Sequence, residues 1–346
     1  MPGIRPNVAA MVGYVPGEQP RGGSVVKLNT NESPYPPSPK VFEAVRAALT
    51  GDRLRKYPEP SGQTFREAAS GVLGIDPDSI LIGNGSDDIL TILTRAFVPQ
   101  RGSIVSLTPS YILYKSLAEI QGAQFQTVPF TADWQLPEPW PMRGADLTFV
   151  ANPNSPTGTV VPPGAIARLS EVAGPVVLDE AYADFAETNG LKLASKTVIV
   201  SRTLSKSYAL AGIRFGFAVA DPALVRELLK VKDSYNCDVL SLAAATAAIL
   251  DQAYLAETRR KIVATRGRLA EGLQSLDFTV TPSQANFVWC RLADRPEKPI
   301  YEALKARNIL VRYMDYDRYG DGLRISVGTD AEIDTLLIEL ANILSA

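Results

Sequence analysis

Residues 201–217 read SRTLSKSYALAGIRFGF and set one lysine, Lys206, in a largely apolar stretch, with hydroxyl residues just before it and Arg214 eight positions after. Burying an ammonium without a partner forfeits its hydration. Lys206 therefore either runs its stem along Tyr208 and Leu210 to water or has a chemical task. A desolvated lysine has a lowered pKa and a free amine able to form a covalent imine with a carbonyl cofactor. Asp179 closes the apolar run PVVLD. An unpaired carboxylate there is expensive, so a cationic partner is expected, with a cap for the following EAYADF as the other reading. GNGSDD, residues 83–88, is not a dinucleotide fingerprint, because Asp88 takes the place of the third glycine, and no GK[ST] loop occurs. What remains is a glycine turn opening a helix. Its N–H groups suit a phosphate, while Asp87 and Asp88 equally suit a helix start. Tyr111 follows the run SIVSLTPS as either core or stacking platform, and Asn152 stands at the mouth of DLTFVANPNSPTG.

The missing residue types narrow the chemistry. Among 346 residues there is no histidine, which excludes Ser/His/Asp and Cys/His catalysis and histidine-bearing zinc sites. Cys237 and Cys290 are too few and too far apart for a disulfide framework or a four-cysteine metal site, so no metal is expected. A formal charge of −2 advertises neither nucleic acid nor an anionic membrane as partner. The first twenty residues lack a basic start followed by an apolar run, and VLSLAAATAAIL is too short to span a bilayer. The expectation is a soluble, unprocessed protein of the reducing cytoplasm.

Positioning these residues requires a sheet. Apolar runs at 79–83, 103–107, 146–151, 175–179, 197–201 and 215–220 alternate with segments of helical period. Strands without polar alternation predict a sheet covered on both faces, hence a largely parallel α/β domain, whose ligands sit beyond the strands' carboxyl ends. Ser86 is expected to cap DDILTILTRAF, and Pro163 to begin PGAIARLSEVA. After residue 235 one long helical stretch leads into the strand candidates FTVTPS, NFVWCRL, NILVRY and GLRISVG, the texture of a smaller α+β domain. Residues 1–35 are irregular and Pro/Gly-rich. The expected division is an arm at 1–35, a large domain at 36–235 and a small domain at 236–346.

An aldehyde taken by lysine, a ring nitrogen kept protonated by a carboxylate and a phosphate held by helix N–H groups, hydroxyls and an arginine describe pyridoxal 5′-phosphate. KLNTNESPYPP, RKYPEP, GNGSDD, TPSY, ANPNSPTG, VVLDEAYADF, SRTLSKSYALAGIRFGF, SQANFVW, NILVRY and LRISVGT run in order along the chain. Together they resemble the fold type I pyridoxal-phosphate aminotransferases of the aspartate aminotransferase superfamily, and within them the histidinol-phosphate aminotransferases. The resemblance implies a mostly parallel seven-stranded sheet between helices, a smaller C-terminal domain and an N-terminal arm. It assigns Lys206 to the covalent link with the cofactor, Asp179 to the ring nitrogen, and Asn152 and Tyr182 to the phenolic oxygen. Tyr111 would stack on the ring. Thr203, Ser205, Arg214 and the backbone of Gly85, Ser86 and Asp87 would hold the phosphate, with Tyr57 reaching the neighbouring subunit's cofactor in a homodimer with shared sites.

The resemblance also gives Arg324 a substrate anion, with Arg312 near it and Tyr14, Tyr35 and Asn152 on the substrate side. One arginine fork pairs with either a phosphate or a carboxylate. It thus serves both an amino donor, L-histidinol phosphate, and a 2-oxo acid acceptor, 2-oxoglutarate, in a step of histidine biosynthesis. Tyr14, Tyr111, Tyr235 and Tyr313 equally suit an aromatic amino acid. Decarboxylation of a phosphorylated amino acid and a non-catalytic binding module on the same fold stay open beside these.

Overall fold

The computed structural model describes residues 3–13, 17–20 and 25–345. The arm holds α1 (Pro6–Ala10) and β1 (Val26–Lys27). Next come α2 (Pro39–Ala48), α3 (Gly51–Leu54) and α4 (Gln63–Leu73). The large sheet alternates with helices: β2 (Ile80–Gly83), α5 (Ser86–Phe97), β3 (Ser103–Thr108), α6 (Leu113–Gln121), β4 (Gln124–Pro129), β5 (Leu147–Ala151), α7 (Pro163–Ser170), β6 (Val176–Asp179), β7 (Val198–Thr203), β8 (Gly216–Val219) and α8 (Pro222–Leu228). Then follow α9 (Val239–Leu250), α10 (Gln252–Gln274), β9 (Thr279–Val280), β10 (Phe287–Arg291), α11 (Lys298–Ala306), β11 (Ile309–Leu310), β12 (Arg312–Tyr316), β13 (Gly320–Ser326) and α12 (Asp330–Ser345).

The seven strands lie in the order β2-β8-β7-β6-β5-β3-β4. Every pairing is parallel except those of β8, which runs antiparallel to both β2 and β7. Strands β2, β5, β6, β7 and β8 are buried along their whole length, because helices cover both faces as their unbroken apolar runs require. The seventh strand, β4, carries no such run. Only Val128 of QFQTVP is buried at the sheet edge, where one-sided cover needs little apolar surface. Apolar side chains from the two faces form separate buried clusters, one of them around Phe65, Val150 and Phe215, the other around Leu90, Tyr114 and Phe149.

Register brings the chemistry together. Asp179 at the end of β6 is level with Ala151 of β5 and Ser201 of β7. Gly216, which opens β8, is flanked by Gly83 and Thr203. The turn before α5, the end of β7 and the start of β8 therefore meet at one corner.

Two details differ from the sequence expectations. Ser86 does not cap α5; it is the first helical residue, behind Gly85, which has no side chain to offer and sits at φ +82°. The stretch after residue 235 is two helices, bent by 77° at Asp251. Asp251 holds this corner by accepting from Ser38 Oγ at 2.5 Å and Lys40 Nζ at 3.2 Å at the start of α2. Leu242, Ala245 and Ile249 of α9 pack into the large-domain cluster. We propose on that ground that the small domain begins at α10. No single helix among the described residues is long and apolar enough to cross a membrane.

The C-terminal part is an antiparallel sheet, β12-β13-β10-β9, packed against α10, α11 and α12 around Leu269, Val288, Leu304 and Leu336. Strand β1 pairs with β11, and Leu28 beyond it is buried in this cluster, so the end of the arm is fastened to the small domain.

Candidate active site

A cavity of about 190 Å³ opens beyond the carboxyl ends of β5, β6 and β7. Lys206 leaves the end of β7 and enters it, donating from Nζ to the Thr30 carbonyl at 3.0 Å. Enclosure and then the positive charge of Arg324 pull its pKa down to about 8, against the opposing pull of Glu32. The amine is thus closer to its neutral, nucleophilic form than a surface lysine at neutral pH.

Asp179 faces the same space. Its Oδ2 accepts from Tyr114 Oη at 2.7 Å and its Oδ1 from the Ala181 N–H at 3.3 Å. Both of these donors are neutral, so neither is the cationic partner expected for Asp179. The cation goes instead to the next residue, since the buried Arg202 binds Glu180 and Asp184. Burial raises the Asp179 pKa to about 6, and the Tyr114 bond works against that rise. Tyr114 is fully buried, and its hydroxyl is pushed well above its ordinary pKa by burial and by Asp179. Asp179 is suited to hold a cationic ring nitrogen supplied by a ligand.

At the corner of β2, β7 and β8 the groups suit an anion. Ser86 and Asp87 open α5, whose first N–H groups have no intrahelical acceptor. Ser205 Oγ accepts from Thr203 Oγ1 at 3.0 Å and from Arg214 Nη1 at 3.3 Å. Arg214 also faces Asp87 at 3.6 Å. The fit is tight: a Cβ on Gly85 would stand 2.6 Å from Arg214 Nη2, and one on Gly216 2.7 Å from the Ser86 nitrogen.

Across the cavity stand Arg324 and Arg312, which lie directly opposite each other on β13 and β12. Like charges facing across strands repel, and an anion between them relieves this. Arg324 is aimed by two bonds, Nη1 to Ser155 Oγ at 3.1 Å and Nη2 to the Asn29 carbonyl at 3.0 Å. Tyr111 and Tyr182 complete the walls; the Tyr182 hydroxyl accepts from Asn31 Nδ2 at 2.9 Å.

Some expected residues are elsewhere. The side chain of Asn152 is turned onto Val161, accepting its N–H at 2.8 Å and donating to its carbonyl at 3.1 Å. The wall beside it is made by Ala151, Pro153 and Ser155. Tyr57 is 80% exposed, stacked on Tyr235 with centroids 4.4 Å apart, and outside this chain's cavity. Tyr313 and Tyr35 pack with the small-domain cluster. Tyr14 lies outside the described residues.

Residues 23–340 match the family described as aminotransferase class I and II. Histidinol-phosphate aminotransferase of Rhodopirellula baltica is 52% identical over 97% of this chain and 95% of its own length. The chain belongs to the histidinol-phosphate aminotransferase family. A second relative, histidinol-phosphate aminotransferase 1 of a Nostoc species, is 45% identical over 99% of this chain and 98% of its own length. Among solved structures, histidinol-phosphate aminotransferase of Sinorhizobium meliloti in complex with pyridoxal-5′-phosphate superposes with a TM-score of 0.89 at 26% identity, covering 100% of this chain and 98% of that one.

In this aminotransferase the residues that sequence reasoning missed are Tyr114, Ser155, Asn29, Thr30 and Asn31. Tyr114 had a signal, since it stands three positions after Tyr111, in the first turn of α6, where its ring meets that of Tyr111 edge-on with centroids 5.6 Å apart. The other four reach the site through long-range bonds that no local pattern announces.

Proposed function

We propose that the chain is a pyridoxal-phosphate aminotransferase that moves the amino group of L-histidinol phosphate to 2-oxoglutarate, a step of histidine biosynthesis. The observation that carries this reading is one cavity shared by the lysine amine, the buried carboxylate, the anion corner and the opposed arginine pair. The donor set fits the cofactor: a carboxylate with only neutral bonds awaits a cation, and a helix start, two hydroxyls and an arginine await a phosphate. When bound, pyridoxal phosphate supplies an aldehyde for an amine and an electron-withdrawing ring that acidifies the Cα–H of an attached amino group.

Asp179 holds the ring-nitrogen proton, and Tyr114 keeps Asp179 ionised by donating to it. The freed Lys206 amine would serve as the base that takes the substrate's Cα proton and as the acid that gives a proton back to the cofactor. Tyr182 would bond the cofactor's phenolic oxygen, Tyr111 would cover its ring, and Ser86, Asp87, Thr203, Ser205 and Arg214 would bind its phosphate. Arg324, with Arg312 opposite, receives the phosphate ester of the donor and the carboxylate of the acceptor in turn. Both cysteines are buried and unpaired, which supports a reducing cytoplasm.

We further propose a homodimer in which Tyr57 serves the partner's cofactor. Its exposure, its place outside its own cavity, and the exposed Phe42, Leu49, Leu54 and Leu250 on nearby helices support this. The experiment for the activity is a spectral titration of the cofactor-loaded enzyme with histidinol phosphate, glutamate and phenylalanine in turn. Discharge by the first two supports the reading; discharge by phenylalanine and not by histidinol phosphate would make it an aromatic aminotransferase.

A further inference from the structure

Behind the anion corner lies a set of polar groups that does not line the cavity. Asp88 Oδ2 accepts the backbone N–H of Asn84 at 2.9 Å and Nδ2 of Asn236 at 2.8 Å. The same Nδ2 donates to the Ile82 carbonyl at 3.3 Å, so both amide hydrogens of Asn236 are used on residues around the turn. Asn84 Nδ2 returns a bond to the Asn236 carbonyl at 3.1 Å. From the far side the buried Lys232 donates to Asn236 Oδ1 at 2.9 Å and to the Asp233 carbonyl at 2.6 Å. One carboxylate, two amides and one ammonium thus tie residues 82–84 to the loop at 232–236.

We infer that Asp88, Asn236 and Lys232 are positioning residues that set the turn at 83–85 so that the start of α5 and Arg214 grip the cofactor's phosphate. The inference rests on the cofactor reading given above. Its physical ground is the lack of slack at this turn. Gly85 sits at φ +82° with Arg214 against it, and the Ser86 nitrogen stands over Gly216. A shift of a few tenths of an ångström in the turn therefore moves the N–H groups and the guanidinium relative to each other. A staple that served stability alone would have no bearing on which part of the cofactor is bound.

That difference supplies the test. The full chain is stripped of cofactor and titrated with pyridoxal phosphate and with pyridoxal, which lacks the phosphate. Asp88→Ala and Asn236→Ala are expected to weaken pyridoxal phosphate about tenfold, about 1.4 kcal/mol, and to leave pyridoxal within about twofold. Asp88→Asn, whose amide oxygen can accept both bonds, should keep most of the affinity. Lys232→Met removes the brace from the far side and should give the same selective loss if Asp88→Ala folds poorly. Equal losses for both ligands, or unchanged affinity in the alanine variants, overturn the positioning role. A wild-type chain that binds pyridoxal as tightly as pyridoxal phosphate would instead remove the phosphate reading of the corner.

Discussion

At the scale of single residues the site works by setting charge. Lys206 is enclosed beside Arg324, so its proton is held less tightly than on a solvated lysine, and its pKa falls to about 8. Below that pH the amine is protonated and unreactive; raising the pH through it frees the lone pair. Covalent attachment of pyridoxal phosphate to the stripped chain should therefore quicken about tenfold per pH unit up to about 8 and then level off. Stopped-flow absorbance checks this, and a plateau reached only near the ordinary lysine value would mean that the amine is solvated. Asp179→Asn keeps an acceptor for Tyr114, so the fold should survive, yet a neutral amide cannot retain the ring-nitrogen proton. Most transamination should disappear in steady-state assays with thermal melting little changed, and full activity would reduce Asp179 to a structural acceptor. Arg324→Ala should cost about 2–5 kcal/mol in kcat/KM for histidinol phosphate and for glutamate alike. Loss for glutamate alone would leave the phosphate ester to Arg312.

At the scale of elements, the site is a property of strand ends and one helix start. The register that sets Gly216 between Gly83 and Thr203 brings three chain segments to the anion corner. Glycine is required there by geometry: Gly85 has φ +82° and ψ 168°, where a side chain costs roughly 1–3 kcal/mol, and a Cβ would press on Arg214. Gly85→Ala should therefore weaken pyridoxal phosphate about tenfold or more while lowering the melting temperature only modestly. Fluorescence titration beside a thermal melt measures both, and wild-type affinity would show that the corner can open without loss.

At the scale of the whole molecule, the arm and the small domain close one side of the cavity. Arg324 reaches back to the Asn29 carbonyl, and Lys206 to that of Thr30, so a segment fastened to β11 of the small domain touches the reactive amine. The proposed dimer adds Tyr57 from the partner. Mixing inactive Tyr57→Ala with inactive Lys206→Ala chains then restores one site in each mixed dimer. Random exchange makes about half the dimers mixed, so about one quarter of wild-type activity should return. If exchange is verified by mass spectrometry and nothing returns, Tyr57 acts within its own subunit or not at all.

The sequence by itself determined the α/β class and six of the seven large-sheet strands, and it singled out Lys206 and Asp179, with Thr203, Ser205 and Arg214 added by the resemblance; all five line one cavity. Buried parallel strands must be apolar throughout, and a charged residue at the end of such a run stands out against them. Only the tertiary structure decided the rest. An edge strand such as β4 needs little apolar cover and so leaves no run to read. Whether Asn152 or Ser155 faces the cavity turns on which side chain Val161 engages, and the neutral partner of Asp179 comes from a tyrosine 65 positions earlier. The bend at Asp251 depends on bonds from Ser38 and Lys40, more than two hundred residues away. Periodicity and spacing record what a residue does to its neighbours along the chain; hydrogen bonds made across the fold leave no such record.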